Sequence, residues 1–331
     1  MSDTALVVGG TRFVGRHTVE ELLTNDYHVT TFTRGESENP FADRETVESV
    51  HGDRTDRGAL ADARDTVDPD IVIDTCAYHP GDVETATEVF AGAGAYVYVS
   101  SGAAYEATDV PLREDGTALH DCTSEQAADD SMASYGPRKA EGDRVVARAA
   151  ERGVNAMAVR PMLVYGPHDY TERFAYWTDR VAEYDEVVVP FDGDSLLHRS
   201  YVEDVASALR IVAERGDAGE AYNVADRNTF SLSRSLELVA DALDTAVEIV
   251  QTGPADLDSA GVDATDFPLY TPQPALAATG KLAALGWEST DPAEAVATTA
   301  RAHREAGRDG GENGPDRETE ERVIDAVRES V

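Results

Sequence analysis

The stretch Ala5-Leu6-Val7-Val8-Gly9-Gly10-Thr11-Arg12-Phe13-Val14-Gly15 decides the fold. Its four apolar residues read as a buried strand, and the apolar spacing from Val14 to Leu23 reads as the helix that follows. Gly9 can take a tight turn because it has no side chain to clash. Gly15 lets the helix pack closely on the strand. A helix that begins here turns its N-terminal amides toward whatever lies above the turn, which suits a pyrophosphate. In this strand–turn–helix setting the glycines read as a dinucleotide fingerprint, with Thr11, Phe13 and Val14 as further turn positions. Arg12 stands where a middle glycine often sits, and its charge can meet a phosphate.

The same alternation continues outward. Strands are expected at His28–Phe32, Val47–Val50, Ile71–Asp74, Tyr96–Ser100 and Ala156–Val159, with helices at Val14–Leu23, Arg57–Thr66, Val83–Phe90 and Ser134–Arg152. Short apolar strands separated by helices imply an α/β fold of the Rossmann type, a doubly wound parallel sheet covered on both faces. Past Pro161 the pattern loosens, with helical stretches near Thr171–Tyr184, Val205–Ala213 and Leu232–Leu243. The expected organisation is a dinucleotide-binding domain over 1–165 and a smaller mixed α/β substrate lobe over 166–308, which can return elements to the main sheet. Residues 309–331 read as an acidic, partly mobile tail.

Two residues bear on the cofactor. The second strand ends Phe32-Thr33-Arg34-Gly35, with no carboxylate to hold the adenine ribose hydroxyls. Arg34 can pair with a 2'-phosphate, so NADP(H) is favoured over NAD(H), with NAD as the alternative. Asp53, in the Gly52-Asp53-Arg54 turn, can accept from the adenine amino group or simply be solvated.

Tyr135 and Lys139 are four apart in a helical stretch and share one face. A free tyrosine ionises near pH ~10, and a neighbouring ammonium favours its phenolate, which makes a proton shuttle beside a carbonyl or carbinol. Only Lys139 and Lys281 are lysine in a chain that otherwise uses arginine. An ammonium is a more compact donor than a guanidinium, so a lysine here is informative. The fifth strand ends Tyr98-Val99-Ser100-Ser101-Gly102, where such folds place ligands. Ser101 is the candidate to hold the substrate oxygen, with Ser100 as the alternative.

With these residues in place the chain resembles the extended or atypical short-chain dehydrogenase/reductase superfamily, in its epimerase/dehydratase branch. Asp74–Tyr78, Ser100-Ser101 with Tyr105, Tyr135–Lys139, Arg160-Pro161, Tyr165-Gly166-Pro167, the Ser200–Ala206 segment and Lys281–Trp287 fall in the family's order. The opening turn is similar to that of a subgroup like the chloroplast RNA-binding proteins. The resemblance, spanning about residues 4–306, implies Ser101, Tyr135 and Lys139 as catalytic residues. It also implies Ala77, Ser100, Tyr135 and Lys139 as cofactor contacts and a helix-mediated homodimer.

Two departures narrow the chemistry. Sugar-nucleotide dehydratases carry an aspartate and a glutamate just after the serine or threonine, where this chain has Gly102 and Ala103. Neither can protonate a leaving hydroxyl. An asparagine that contacts the substrate diphosphate in nucleotide-sugar enzymes is Leu163 here, which cannot donate that bond. Tyr165, Arg173, Tyr176, Trp177, His198 and Arg199 are candidate pocket residues, with Arg199 open to a substrate phosphate or to a structural role.

Composition bounds the rest. Sixty-four acidic against 28 basic residues give a formal net charge of −36, which repels itself unless salt screens it. The bias resembles that of proteins from salt-loving organisms. It argues against binding to nucleic acid or anionic membrane. No apolar run approaches bilayer length and no export signal opens the chain, so a cytoplasmic location is expected. Two cysteines form no disulfide framework, Cys76 is expected as a core residue of the fourth strand, and no cluster has metal-site spacing. The expected activity is hydride transfer between nicotinamide and an alcohol or carbonyl, on a small, sugar-like substrate. The alternatives are a nucleotide-sugar epimerase with retained NAD and a cofactor-binding regulatory or RNA-associated protein.

Overall fold

The computed structural model describes residues 3–106 and 109–330. In chain order its first elements are β1 (Thr4–Val8), α1 (Phe13–Thr24), β2 (His28–Thr33), β3 (Val47–His51), α2 (Arg57–Val67), β4 (Ile71–Asp74), α3 (Pro80–Val89), β5 (Ala95–Val99), α4 (Ser124–Ala128), α5 (Tyr135–Glu151) and β6 (Ala156–Pro161). There follow β7 (Leu163–Tyr165), α6 (Arg173–Glu183), β8 (Glu186–Val189), β9 (Arg199–Tyr201), α7 (Val202–Arg215), β10 (Ala221–Val224), α8 (Leu232–Leu243), β11 (Glu248–Gln251), α9 (Pro254–Ala260), α10 (Gly280–Ala284), α11 (Pro292–Ala306) and α12 (Arg317–Ser330).

The chain forms two compact units. The first comprises Met1–Val164, Val202–Ala225 and Ala277–Ser289; the second comprises Tyr165–Tyr201, Asp226–Leu276 and Thr290–Val331. In the first, seven parallel strands run β10-β6-β5-β4-β1-β2-β3. Strand alternation assigns the two faces. Ala5, Val7, Ile71, Ile73 and Val97 turn to one side, under Val19 and Leu22 of α1 and Val205, Leu209 and Val212 of α7. Leu6, Val8, Val72, Tyr96 and Tyr98 turn to the other, under Leu60 of α2, Val83 of α3 and Val145 and Val146 of α5. Both faces are covered, which is why the strands read as unbroken apolar runs. Trp287 closes this unit by donating from Nε1 to the Asp204 carbonyl at 3.0 Å.

A buried polar network crosses the same unit. Arg160 at the end of β6 donates to Asp143 of α5 at 2.7 Å and to the Tyr105 hydroxyl at 2.8 Å, and that hydroxyl donates to Asn223 of β10 at 2.8 Å. Asp143→Ala leaves the Arg160 guanidinium buried without its carboxylate, so a loss of about 3–5 kcal/mol is expected in urea unfolding.

The second unit is built around α6, α8, α11 and α12, with β8 and β11 paired in parallel. Three residues expected to line a pocket, Tyr165, Tyr176 and Trp177, are instead fully buried core of this unit. Trp177 donates to the Pro268 carbonyl at 2.8 Å and stacks on Phe267, and Tyr165 lies 5.4 Å from Phe174. Their large apolar area explains the burial. The stretch after residue 308 makes specific contacts. The Gly310 N–H donates to Asp179 of α6, and Val323 and Ile324 of α12 are buried.

With 64 acidic residues against 28 basic ones, salt should stabilise the fold. Raising potassium chloride from about 0.1 to 2 M is expected to lift the thermal midpoint by roughly 5–10 °C, as screening removes self-repulsion.

Candidate active site

The site grows from the ends of parallel strands. Register places Val8 opposite Phe32 on one side and Asp74 on the other, with Asp74 opposite Tyr98. The turns after β1, β2, β4 and β5 therefore emerge at one edge of the sheet, where β1 lies between β2 and β4 and the chain order reverses. Open α/β sheets bind ligands at that position.

The β1–α1 turn is as tight as its glycines suggest. Gly9 has φ +92°, and its N–H donates to the Phe32 carbonyl at 3.0 Å. A Cβ on Gly15 would lie 2.1 Å from the Gly9 carbonyl oxygen, so helix and turn meet backbone to backbone. Phe13 is buried and Val14 packs against the α1 face of the core, while Arg12 is exposed and Thr11 half-buried. The N-terminus of α1 has no side-chain cap and no acidic residue in its first turn. By contrast, α2 is capped by Asp56 and α11 by Asp291. The start of α1 carries partial positive charge, which favours a nearby anion.

At the ends of β2 and β3, Arg34 is exposed and paired with Glu36 at 3.3 Å. Asp53 is also exposed, and its Oδ1 accepts from the N–H and hydroxyl of Thr55 at 2.9 and 2.8 Å. Those bonds hold its carboxyl below the usual range, with Arg34 and Arg54 adding smaller effects. Cys76 lies two residues beyond β4, outside the strand in which it was expected. Burial pushes its thiol up to about 12, which leaves it un-ionised near neutrality.

Lys139 lies one turn into α5 and is buried. Its Nζ donates to the carbonyls of Ala77 and Val99, both at 2.9 Å. The rings of Tyr98, Tyr78 and Tyr135 surround the ammonium at 4.8, 5.3 and 5.8 Å. Burial lowers the Lys139 pKa to about 8, opposed by the charges of Asp74 and Asp143. The four-residue spacing thus does bring Tyr135 and Lys139 together, and Ala77 joins them through its carbonyl.

The two serines differ. Ser101 Oγ accepts from the Ala103 N–H at 3.1 Å and caps the short turn Gly102–Ala104. Ser100 is 3% exposed, and its hydroxyl has no hydrogen-bond partner among the described residues. A buried hydroxyl left so is costly, and a bound group would complete it. Beside them, a Cβ on Gly102 would lie 2.5 Å from Met162 Cε. The Met162 thioether therefore packs against the Gly102 backbone and leaves no room there for a longer side chain.

Two expected pocket residues are accounted for inside the second unit. His198 Nε2 lies 2.6 Å from the Asp226 carbonyl. Arg199 donates to Ser235 Oγ at 2.7 Å and to the Phe230 carbonyl at 3.1 Å, which gives it a structural role. Arg173 is exposed. Sequence reasoning missed Arg54, Tyr78 and Tyr98. The nearest signal was an arginine between two aspartates in the β3–α2 turn. Among the described residues no cluster could hold a metal ion.

Comparison with known proteins places this geometry. The profile of the NAD dependent epimerase/dehydratase family matches residues 5–225. The chain is 27% identical over 231 residues to the chloroplast stem-loop binding protein of 41 kDa b from Arabidopsis thaliana, covering 66% of this chain and 57% of that protein's length. It is 26% identical over 308 residues to a low-salt glycan biosynthesis protein of Haloferax volcanii, covering 86% of this chain and 92% of the relative. Among solved structures it superposes with a TM-score of 0.72 on a UDP-glucose 4-epimerase of Thermotoga maritima with UDP-glucose, at 20% identity over 92% of this chain and 100% of that one. A dTDP-glucose 4,6-dehydratase of Bacillus anthracis in complex with NAD gives 0.71 at 18% identity, over 92% and 97%. At these identities the structures speak for the fold alone.

Proposed function

The chain belongs to the NAD-dependent epimerase/dehydratase family, and on that premise we propose that it exchanges hydride between a nicotinamide dinucleotide and a sugar-like alcohol or carbonyl, with Tyr135 moving the proton. In this reading it works as an enzyme of the extended short-chain dehydrogenase/reductase type. The observation that carries the proposal is the buried Lys139 ammonium, fixed between the Ala77 and Val99 carbonyls beside the Tyr135 ring at the ligand-binding edge of the sheet.

The residues fit a dinucleotide. The Gly9–Gly15 turn and the uncapped start of α1 would hold its pyrophosphate. Arg34 and Asp53 would meet its adenosine end, and the orphaned Ser100 hydroxyl and the Ala77 backbone would meet its other end. When bound, such a group supplies the hydride acceptor or donor. As phenolate, Tyr135 takes the proton of a substrate alcohol in one direction, and as phenol it returns that proton in the other. Lys139 holds positive charge beside it. Ser101 still has a hydroxyl proton to donate to the substrate oxygen while its own oxygen accepts from Ala103.

The dehydratase reading lacks its acid, since Gly102 and Ala103 replace the carboxylates and Met162 packs against the Gly102 backbone. Reduction and epimerisation use the same groups. Net consumption of NADPH by an added carbonyl supports a reductase. Retained cofactor with interconversion of nucleotide sugars and no net redox supports an epimerase.

A preference for NADP(H) rests on the missing carboxylate after β2 and on Arg34, with Arg12 as a second cation. Glu36 competes for Arg34. Binding of NADPH and NADH to the folded protein tests it; equal affinities overturn the preference. The homodimer and the cytoplasmic location belong to the same proposal. Among the described residues, no helix is long and apolar enough to cross a membrane.

A further inference from the structure

Arg54 follows Asp53 in the turn after β3, but its side chain is largely buried where that of Asp53 is exposed. Its NH2 lies 2.5 Å from Asp74 Oδ2, and its NH1 lies 3.0 Å from Asp82 Oδ1. Asp74, at the end of β4, also accepts from the Tyr96 hydroxyl at 3.1 Å and from the Cys76 N–H at 3.2 Å. Asp82, in the first turn of α3, uses its other oxygen to accept from the N–H groups of Tyr78 and His79 at 3.1 and 3.0 Å. One guanidinium therefore hydrogen-bonds Asp74 at one end of the segment and forms an ion pair with Asp82 at the other, where its NH1 makes no hydrogen bond among the described residues. In the middle of that segment, the Ala77 carbonyl receives Lys139.

Charge explains why this matters. Two carboxylates with one arginine leave one negative charge in excess, and Lys139 supplies the balancing cation. Asp143, the other carboxylate felt by Lys139, is already paired with Arg160 at 2.7 Å. A guanidinium can span two carboxylates with separate N–H groups, which a lysine ammonium does poorly.

We propose that Arg54 is a positioning residue that holds the Asp74–Asp82 segment where the Ala77 carbonyl meets Lys139, and so couples the adenine-side turn to the Tyr135–Lys139 pair. This rests on the reading of the strand ends as a dinucleotide site. The groups acting on the ammonium are Asp74 at the end of β4, Cys76 just after it, Asp82 of α3, Asp143 and Tyr135 of α5, Tyr98 of β5, and Tyr78. Arg54→Met strips the neutralising charge from Asp74 and Asp82, so Lys139 should hold its proton to higher pH. Asp82→Asn keeps an oxygen for Tyr78 and His79 but removes one negative charge, so Lys139 should release its proton at lower pH. General loosening of the fold would not move the two variants in opposite directions.

The 331-residue chain has only two lysines, so the chain labelled with 13C at lysine Cε gives two resonances, and Lys281→Arg assigns them. In the wild type the Lys139 signal should titrate near pH 8. Arg54→Met should raise that midpoint, and Asp82→Asn should lower it, each by about one pH unit. NADPH affinity of folded Arg54→Met should fall about 10-fold, as a misplaced segment costs about 1.4 kcal/mol. If Arg54→Met does not fold, the downward shift in Asp82→Asn decides the matter. Midpoints that stay put, or that move in the same direction, overturn the proposal. A folded wild type that binds no dinucleotide overturns the reading on which it rests, a result that the lysine titration cannot produce.

Discussion

Tyr135→Phe is expected to lower turnover by about 10²–10⁴-fold, the usual worth of a positioned acid–base group, while leaving dinucleotide affinity within about 2-fold. The substitution removes a single oxygen. The ring remains at the start of α5, so the aromatic neighbour of Lys139 is kept. The account gives the hydroxyl one task, moving a proton to or from the substrate oxygen, and leaves the implied Tyr135 contact with the cofactor to the retained ring. The loss should therefore fall on kcat, measured with whichever carbonyl or nucleotide sugar the substrate screen yields. Lys139→Met should behave differently. It leaves the carbonyls of Ala77 and Val99 without their donor, and should weaken both binding and turnover. A Tyr135→Phe protein with undiminished kcat would remove tyrosine from the chemistry.

Gly15→Ala is expected to abolish dinucleotide binding, with a loss of at least about 100-fold, and to destabilise the fold by roughly 3 kcal/mol. The added methyl would sit 2.1 Å from the Gly9 oxygen, 2.9 Å from the Gly9 carbonyl carbon and 3.1 Å from the Gly10 Cα. All three are backbone, so no side chain can swing away. Either the turn opens or α1 lifts from β1, and both displace the amides that would face a phosphate. Gly81→Ala in α3 is the matched control, because a Cβ there meets nothing within 4 Å. An alanine inside a helix should be neutral or stabilising by about 0.5–1 kcal/mol. Equal thermal midpoints for Gly15→Ala and wild type would contradict the packing argument.

What could be read from sequence was what is local. The β1 turn shows itself because strand, glycines and helix lie within a few residues, and Tyr135 meets Lys139 because four residues make one helical turn. Contacts made across the chain left no such mark. Lys139 reaches the Ala77 carbonyl across 62 positions and the Val99 carbonyl across 40. Arg54 reaches Asp74 across 20, so it read only as part of a turn. Aromatic residues misled for a physical reason. Tyr165, Tyr176 and Trp177 have the composition of a pocket wall, yet a ring buried in a core and a ring facing a ligand are the same residue in a sequence. Arg199 read as open to a substrate anion, because nothing in its neighbours announced Ser235 and the Phe230 carbonyl as its partners.

The most direct test of the account is equilibrium binding of NADPH, NADP+, NADH and NAD+ to the folded chain in molar potassium chloride, followed by nicotinamide fluorescence and calorimetry. The account predicts saturable binding of one molecule per chain, tighter for the phosphorylated pair and lost in Gly15→Ala. Absence of binding by any of the four, with folding confirmed by circular dichroism, would contradict it.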